Sequence, residues 1–284
     1  MTEPAAPSSR RSPEHEAKSG TRLSAPEIHD NVLSEATDEL ERASLSLLLS
    51  SFASGLAIGF SLLGAAFASS LVPEAYGHAA ASAAYPLGFI FVIMARSELF
   101  TENTLTPVLP FLHRRDRGTF GKMLRVWAVL LTGNLAGTFI FSWVMSRTPS
   151  IPEYLKPFML EISEKTTSTT FGTTVYQAVF AGWLIALLTW VLASTRQTGA
   201  QLVLIWLITA AMSAFEFKHS IVGATEAFYR VWEGGVGWGP MWSFIAAAVI
   251  GNTIGGVLLV AILNFGQVVT ERKKKHEDAE TGEK

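Results

Sequence analysis

Six intervals of this chain, 43–73, 75–95, 126–146, 166–195, 197–215 and 234–270, hold no aspartate, glutamate, lysine or arginine. A soluble helix shows charge on its wet face every third or fourth residue, whereas about 20 mostly apolar residues suffice to cross a lipid bilayer. The intervals therefore predict an all-α integral membrane protein with spans at 44–71, 79–96, 126–146, 174–195, 199–215 and 241–267. Composition agrees: 16% of residues are charged and 49% hydrophobic, against about 25% charged in soluble domains.

Lysine and arginine set the orientation, because cytoplasmic flanks carry them in excess. With the N-terminus inside, the inner flanks hold Arg42, "HRRDRGTFGKMLR" (113–125), Arg196 and "ERKKK" (271–275), and the outer flanks only Arg147, Lys156, Lys165 and Arg230. Both termini are expected in the cytoplasm. Residues 1–23 lack an apolar signal core and read as a disordered tail. Residues 24–43 predict a short amphipathic helix, with Ser24 as cap and Ile28, Val32, Leu33, Ala36 and Leu40 on one face. That face suits the membrane surface or the protein itself. Residues 147–173 form an external linker and 271–284 a basic cytoplasmic tail, whose charge an anchoring role explains without nucleic acid. Most of the tryptophans fall near span ends, where an interfacial belt accounts for them.

Two segments, 79–112 and 199–229, stay apolar for more than thirty residues, which as one helix would reach about 45–50 Å across a core of about 30 Å. Each is interrupted by polar residues, "RSELFTENT" (96–104) and "EFKHS" (216–220). Each reads as a helix, a break at membrane depth and a shorter second helix, which is tolerated only against protein or a water-filled cavity. The third span contains "GNLAGT" (133–138) and the sixth "GNTIGG" (251–256). Three spans per half make the second copy an inverted repeat, 44–146 against 174–270, the arrangement in which paired broken helices mark a transport site. Aligning the breaks as "ELFT" on "EFKH" matches Glu98 with Glu216 and Thr101 with His219.

The segments "SLLLSSFASGLAIGF" (46–60), "SELFTENTL" (97–105), the paired "GN" motifs and "HSI" (219–221) resemble the formate/nitrite transporter family over about residues 26–270. The resemblance implies six spans with the second and fifth broken, an aquaporin-like inverted repeat, one pore per subunit and a homopentamer. It also implies an inner-membrane channel or transporter for a small monovalent anion of a weak acid, or its neutral acid. On this pattern His219 faces Thr101. Tyr85 and Met212 form the outer slit, and Phe89, Leu99 and Phe100 the inner one. The chain departs from the pattern at Lys218, where the family is usually acidic, and at Glu216 and Arg96, where it is usually small. Ala186 stands for a fourth-span asparagine and Thr170 for a lysine. These departures mark a divergent, YfdC-like branch.

A histidine at such a waist suits weak-acid chemistry. Protonating an acid of pKa about 4 at pH 7 costs about 4 kcal/mol, and a bare carboxylate in a dry slit costs from a few to over ten kcal/mol. The neutral acid is then the cheaper traveller, and an imidazole can attract the anion and deliver the proton. His219 equally suits a cap that satisfies a broken helix. Lys218 suits either a pore cation or an ion pair. Arg96, Glu98, Glu102 and Glu216 are expected as an ion-pair network, with Lys218 and Glu216 facing Arg96 and Glu98 across the repeat axis and Glu102 turned to the inner vestibule. A neutral-solute channel of the aquaglyceroporin type and a membrane sensor are the other readings; the paired "NPA" turns of the aquaporins are absent. No cysteine, nucleophile–base pair, metal-ligand spacing or phosphate loop points to an enzyme, metal or cofactor.

Overall fold

The computed structural model describes residues 23–281, and the tail expected over 1–23 lies outside them except for Leu23. Every regular element among these residues is helical. Five helices are long and apolar enough to cross a membrane, Ser44–Ser70, Glu74–Met94, Arg117–Arg147, Phe171–Leu192 and Trp238–Glu271, and Thr198–Ala214 is a shorter apolar one. We label the helices α1 (Ala25–Glu41), α2 (Ser44–Ile58), α3 (Phe60–Ser70), α4 (Glu74–Ala84), α5 (Pro86–Met94), α6 (Val108–Arg114), α7 (Arg117–Arg147), α8 (Lys156–Thr167), α9 (Phe171–Leu192), α10 (Thr198–Ala214), α11 (Ser220–Trp232), α12 (Trp238–Gly256) and α13 (Leu263–Thr281), the last two joined by a π-helical turn at Val257–Ile262.

Helix α1 opens with a reciprocal cap, in which the backbone N–H of Ser24 donates to Glu27 Oε2 at 2.8 Å. Its apolar face does not lie on lipid: Val32 and Leu40 are buried in the main core of the bundle. We call the side that carries α1 the terminal face and the other the opposite face.

The two halves are bound internally by matching close crossings. A Cβ on Gly55 of α2 would meet Asn134 O of α7 at 2.3 Å, and one on Gly182 of α9 would meet Asn252 O of α12 at 2.2 Å. Only glycine lets these backbones approach so closely. The "GN" motifs make the same approach from the third span, where a Cβ on Gly137 would meet Phe52 O at 2.3 Å and one on Gly255 would meet Val179 O at 2.0 Å.

The broken helices end alike. After α5 the backbone N–H of Arg96 donates to Ile93 O (3.1 Å) and that of Ser97 to Val92 O (3.0 Å); after α10, Glu216 N donates to Ser213 O (2.9 Å) and Phe217 N to Met212 O (3.0 Å). Each is a Schellman closure with its hinge residue in the left-handed region, Arg96 at φ 53° and Glu216 at φ 58°. This corrects the register read from the sequence. Arg96 is the counterpart of Glu216, Glu98 of Lys218 and Leu99 of His219, so the two breaks are offset by 120 positions (96 to 216, 98 to 218). The letters of "ELFT" and "EFKH" align at 118, but backbone geometry fixes equivalence at 120.

Candidate functional site

The polar ends left by each break are satisfied by one asparagine of the same repeat. Asn134 Oδ1 accepts from Phe100 N at 2.8 Å, while its Nδ2 donates to Ser51 O (2.8 Å) and Glu98 O (3.0 Å). Asn252 Oδ1 accepts from Ser220 N at 2.7 Å, while its Nδ2 donates to Ala178 O (2.8 Å) and Lys218 O (3.0 Å). Both side chains are wholly buried. An unpaired backbone group at this depth costs about 1–3 kcal/mol, so each asparagine permits a break that the bilayer would otherwise forbid. The "GN" motifs pointed to this position in the sequence, but only their small residues suggested a role there.

Two cavities open toward the breaks from opposite faces. One of about 450 Å3 lies under α1 on the terminal face, lined by Glu39, Arg42, Ile93, Arg96, Glu98 and Glu102 among others. One of about 80 Å3 lies on the opposite face, lined by Tyr85, Lys165, Ser213, Lys218, His219 and Glu226 among others. They share no lining residue. Along α4–α5 the chain passes from Tyr85 in the second cavity to Ile93 in the first, and along α10 from Ser213 to Ile205. Eight residues of helix rise separate the linings in each case, about 12 Å. Phe89, Leu99, Phe100, Thr101 and Met212 line neither cavity and are at most 3% exposed. They fill the dry layer between.

His219 stands at the edge of that layer. It is the N-cap of α11, its Nδ1 accepting from Val222 N at 3.1 Å, and its Nε2 lies 2.7 Å from Thr101 Oγ1. A backbone N–H can only donate, so Nδ1 supplies the lone pair and the ring's proton sits on Nε2, donated to Thr101. The Phe89 ring meets the imidazole edge-on, centroids 4.9 Å apart. The sequence left a choice between a cap and a pore role. The structure shows the cap on Nδ1 and the contact with Thr101 on Nε2.

The expected ion-pair network is not formed. Glu98 pairs with Arg42, which caps the end of α1, and Glu216 pairs with Lys165 of α8 at 2.7 Å. Among the described residues Arg96, Glu102 and Lys218 are in no ion pair. The physical reason is the inversion: equivalent breaks lie on opposite sides of the dry layer, so Arg96 and Glu98 cannot reach Glu216 or Lys218. Each carboxylate instead takes a cation from an element outside the spans. The stretch 147–173, expected as a linker, contains the helix that supplies Lys165. Glu102 lines the terminal-face cavity. Three residues the sequence did not single out also belong here: Asn103, which donates to Glu98 Oε2 at 3.0 Å, Glu39, and the buried Glu226 of α11. Burial, and then the neighbouring Glu98 carboxylate, hold the Glu39 carboxyl well above the usual carboxylate range. Among the described residues no group of three or more histidines, cysteines or acids is arranged to hold a metal ion.

Residues 26–266 match the profile described as "Formate/nitrite transporter". The chain is 32% identical over 250 residues to the inner membrane protein YfdC of Escherichia coli, covering 87% of this chain and 80% of that one. It is 23% identical over 199 residues to the formate channel BtFdhC of Bacillus thuringiensis, covering 68% and 76%. Two solved structures share the fold. An "FNT family ion channel" superposes with a TM-score of 0.75 at 18% identity over 84% of this chain and 98% of the other. A "pentameric formate channel with formate bound" superposes with a TM-score of 0.69 at 19% identity over 80% and 98%.

Proposed function

Since the chain belongs to the formate/nitrite transporter family, we propose that it conducts a small monovalent anion of a weak acid, or its neutral acid, through a passage within each subunit. The observation that carries this reading is the pair of cavities entering from opposite faces, about 12 Å apart, with the Thr101–His219 hydrogen bond of 2.7 Å at the waist between them.

The dry layer sets the chemistry. Phe89, Leu99, Phe100 and Met212 offer no polar atom to replace a carboxylate's water, which makes crossing as a bare anion expensive. Protonation of an acid of pKa about 4 at pH 7 costs about 4 kcal/mol, the cheaper route wherever desolvation exceeds that. His219 offers Nε2–H through its bond to Thr101, and the Thr101 hydroxyl can rotate to meet a solute oxygen. With Nδ1 holding the cap of α11, the ring acts as a positioned donor; taking a second proton requires it to release Val222 N.

The terminal face is the cytoplasmic one in this reading, which agrees with the lysine and arginine bias of its flanks. The pentamer of the channel that shares this fold is the assembly we assign to the chain, and a bacterial inner membrane its location. The purified protein, reconstituted in liposomes, is tested by stopped-flow light scattering and lumenal acidification with formic, acetic, nitrous and lactic acid salts. Uptake above empty liposomes supports the reading; folded protein that passes none of them refutes it.

A further inference from the structure

The cavity on the opposite face is lined by two buried groups of opposite kind that do not satisfy each other. Lys218 is 4% exposed and Glu226 3%. Both line the cavity of about 80 Å3, and they interact electrostatically without forming an ion pair. The other charged groups there are occupied. Lys165 and Glu216 are paired at 2.7 Å, and His78 Nε2 lies 3.2 Å from Ala214 O. Lys218 makes no side-chain hydrogen bond among the described residues, and Thr166 lines the cavity together with Glu226. A buried ammonium and a buried carboxyl held apart in one cavity form a donor and an acceptor with unused capacity. A solute bound between them places a hydrogen bond of about 2.8 Å on each side, which requires the two poles to stand further apart than an ion pair.

We propose that Lys218 and Glu226 form a two-point site for a small neutral solute carrying a carbonyl acceptor beside a hydrogen-bond donor: an undissociated short carboxylic acid and, by the same shape, a short primary amide. Lys218 Nζ donates to the carbonyl oxygen, and the acid O–H or amide N–H donates to a Glu226 carboxylate oxygen. A bare carboxylate meets one attractive and one repulsive pole there, so the site favours the neutral form. A volume of about 80 Å3 holds a handful of waters or one solute of that size. The acid half of this inference rests on the weak-acid reading given above; the amide half does not.

The test uses the full-length protein with acetamide as the probe. Binding is followed by thermal shift and tryptophan fluorescence, and competition by the slowing of formate uptake into proteoliposomes. Acetamide is expected to bind the wild-type protein and slow formate uptake. Lys218→Met and Glu226→Leu are each expected to weaken its binding about tenfold, the loss of one charge-assisted hydrogen bond. Glu226→Gln keeps an acceptor oxygen and is expected to retain most of the binding, which a merely structural role for Glu226 would not single out. Acetamide that neither binds nor competes while formate flows overturns the site, as does binding indifferent to all three variants. Acetamide binding lost in Lys218→Met and Glu226→Leu, without any acid flux, supports the site while refuting the transport reading.

Discussion

Arg96 and Glu216 hold the same left-handed backbone conformation, φ 53° and φ 58°, at the same point of the two inverted repeats. Neither is a glycine, the residue this position favours. The side chains kept at that cost do separate work: Arg96 lines the terminal-face cavity, and Glu216 binds Lys165 on the opposite face. Arg96→Gly is expected to stabilise the protein by about 1 kcal/mol through relief of this strain. Glu216→Gly gains the same relief but gives up a half-exposed ion pair worth about 0–1 kcal/mol, so it should be nearly neutral. Thermal unfolding in detergent measures both; an Arg96→Gly protein that melts earlier than wild type contradicts the assignment of strain.

Asn134 and Asn252 are expected to be the most sensitive positions in the fold. Each replacement by alanine strands two buried backbone groups of the break, Phe100 N–H and Glu98 C=O in one repeat and Ser220 N–H and Lys218 C=O in the other, at about 1 kcal/mol or more apiece, so a loss of about 2 kcal/mol or failure to assemble is expected for either. The two should be alike, because their hydrogen bonds match atom for atom. A strong effect from one and none from the other would break the equivalence of the repeats.

Thr101 can be probed without disturbing the packing. Thr101→Val removes the hydroxyl that receives Nε2–H of His219 and leaves a buried donor unmet, at a cost of about 1–3 kcal/mol. Thr101→Ser keeps the hydroxyl. Weak-acid uptake by proteoliposomes is expected to fall at least tenfold in the valine variant and to persist in the serine variant. Equal rates in all three would remove this hydrogen bond from the account.

Glu39 gives α1 a pH dependence of definite sign. Its carboxyl is held above the usual range in the folded protein, by burial and then by Glu98, with Thr106 and Arg42 acting the other way. The folded state therefore binds the extra proton, so stability from this group is fully present below the unfolded carboxylate pKa of about 4.3 and is lost as pH rises through the raised folded value. Hydrogen exchange over residues 25–41, corrected for intrinsic rates, is expected to show α1 better protected in mild acid than in alkali. Glu39→Gln should flatten the dependence. Protection that grows with pH in the wild type would contradict it.

The fold was legible because a bilayer leaves few options: charge-free intervals located the spans, and over-long apolar segments with polar interruptions located the breaks. The partnership of His219 with Thr101 came from family resemblance, and in the fold Nε2 lies 2.7 Å from Thr101 Oγ1. The repeat register was not legible, since "ELFT" and "EFKH" look alike two positions away from the true match, and left-handed backbone at Arg96 and Glu216 has no sequence signal without glycine. Nor were the ion pairs. The charges of the two breaks were expected to pair across the repeat axis, but inversion sends them to opposite faces, and the partners Arg42 and Lys165 come from segments outside the spans. Glu226 stayed hidden because a lone acid in a half-helix gives no hint that it shares a cavity with Lys218.

Solute is expected to pass through a single conduit per subunit that narrows between the two cavities. The chain has no cysteine, so Ser213→Cys introduces one thiol in the lining of the opposite-face cavity. Formate uptake by liposomes of this variant, measured before and after a bulky membrane-impermeant thiol reagent, tests the claim most directly. Uptake before labelling and its abolition afterwards, with wild-type flux untouched by the reagent, is the expected result. Uptake that continues unchanged through a fully labelled protein would mean that solute does not pass this way.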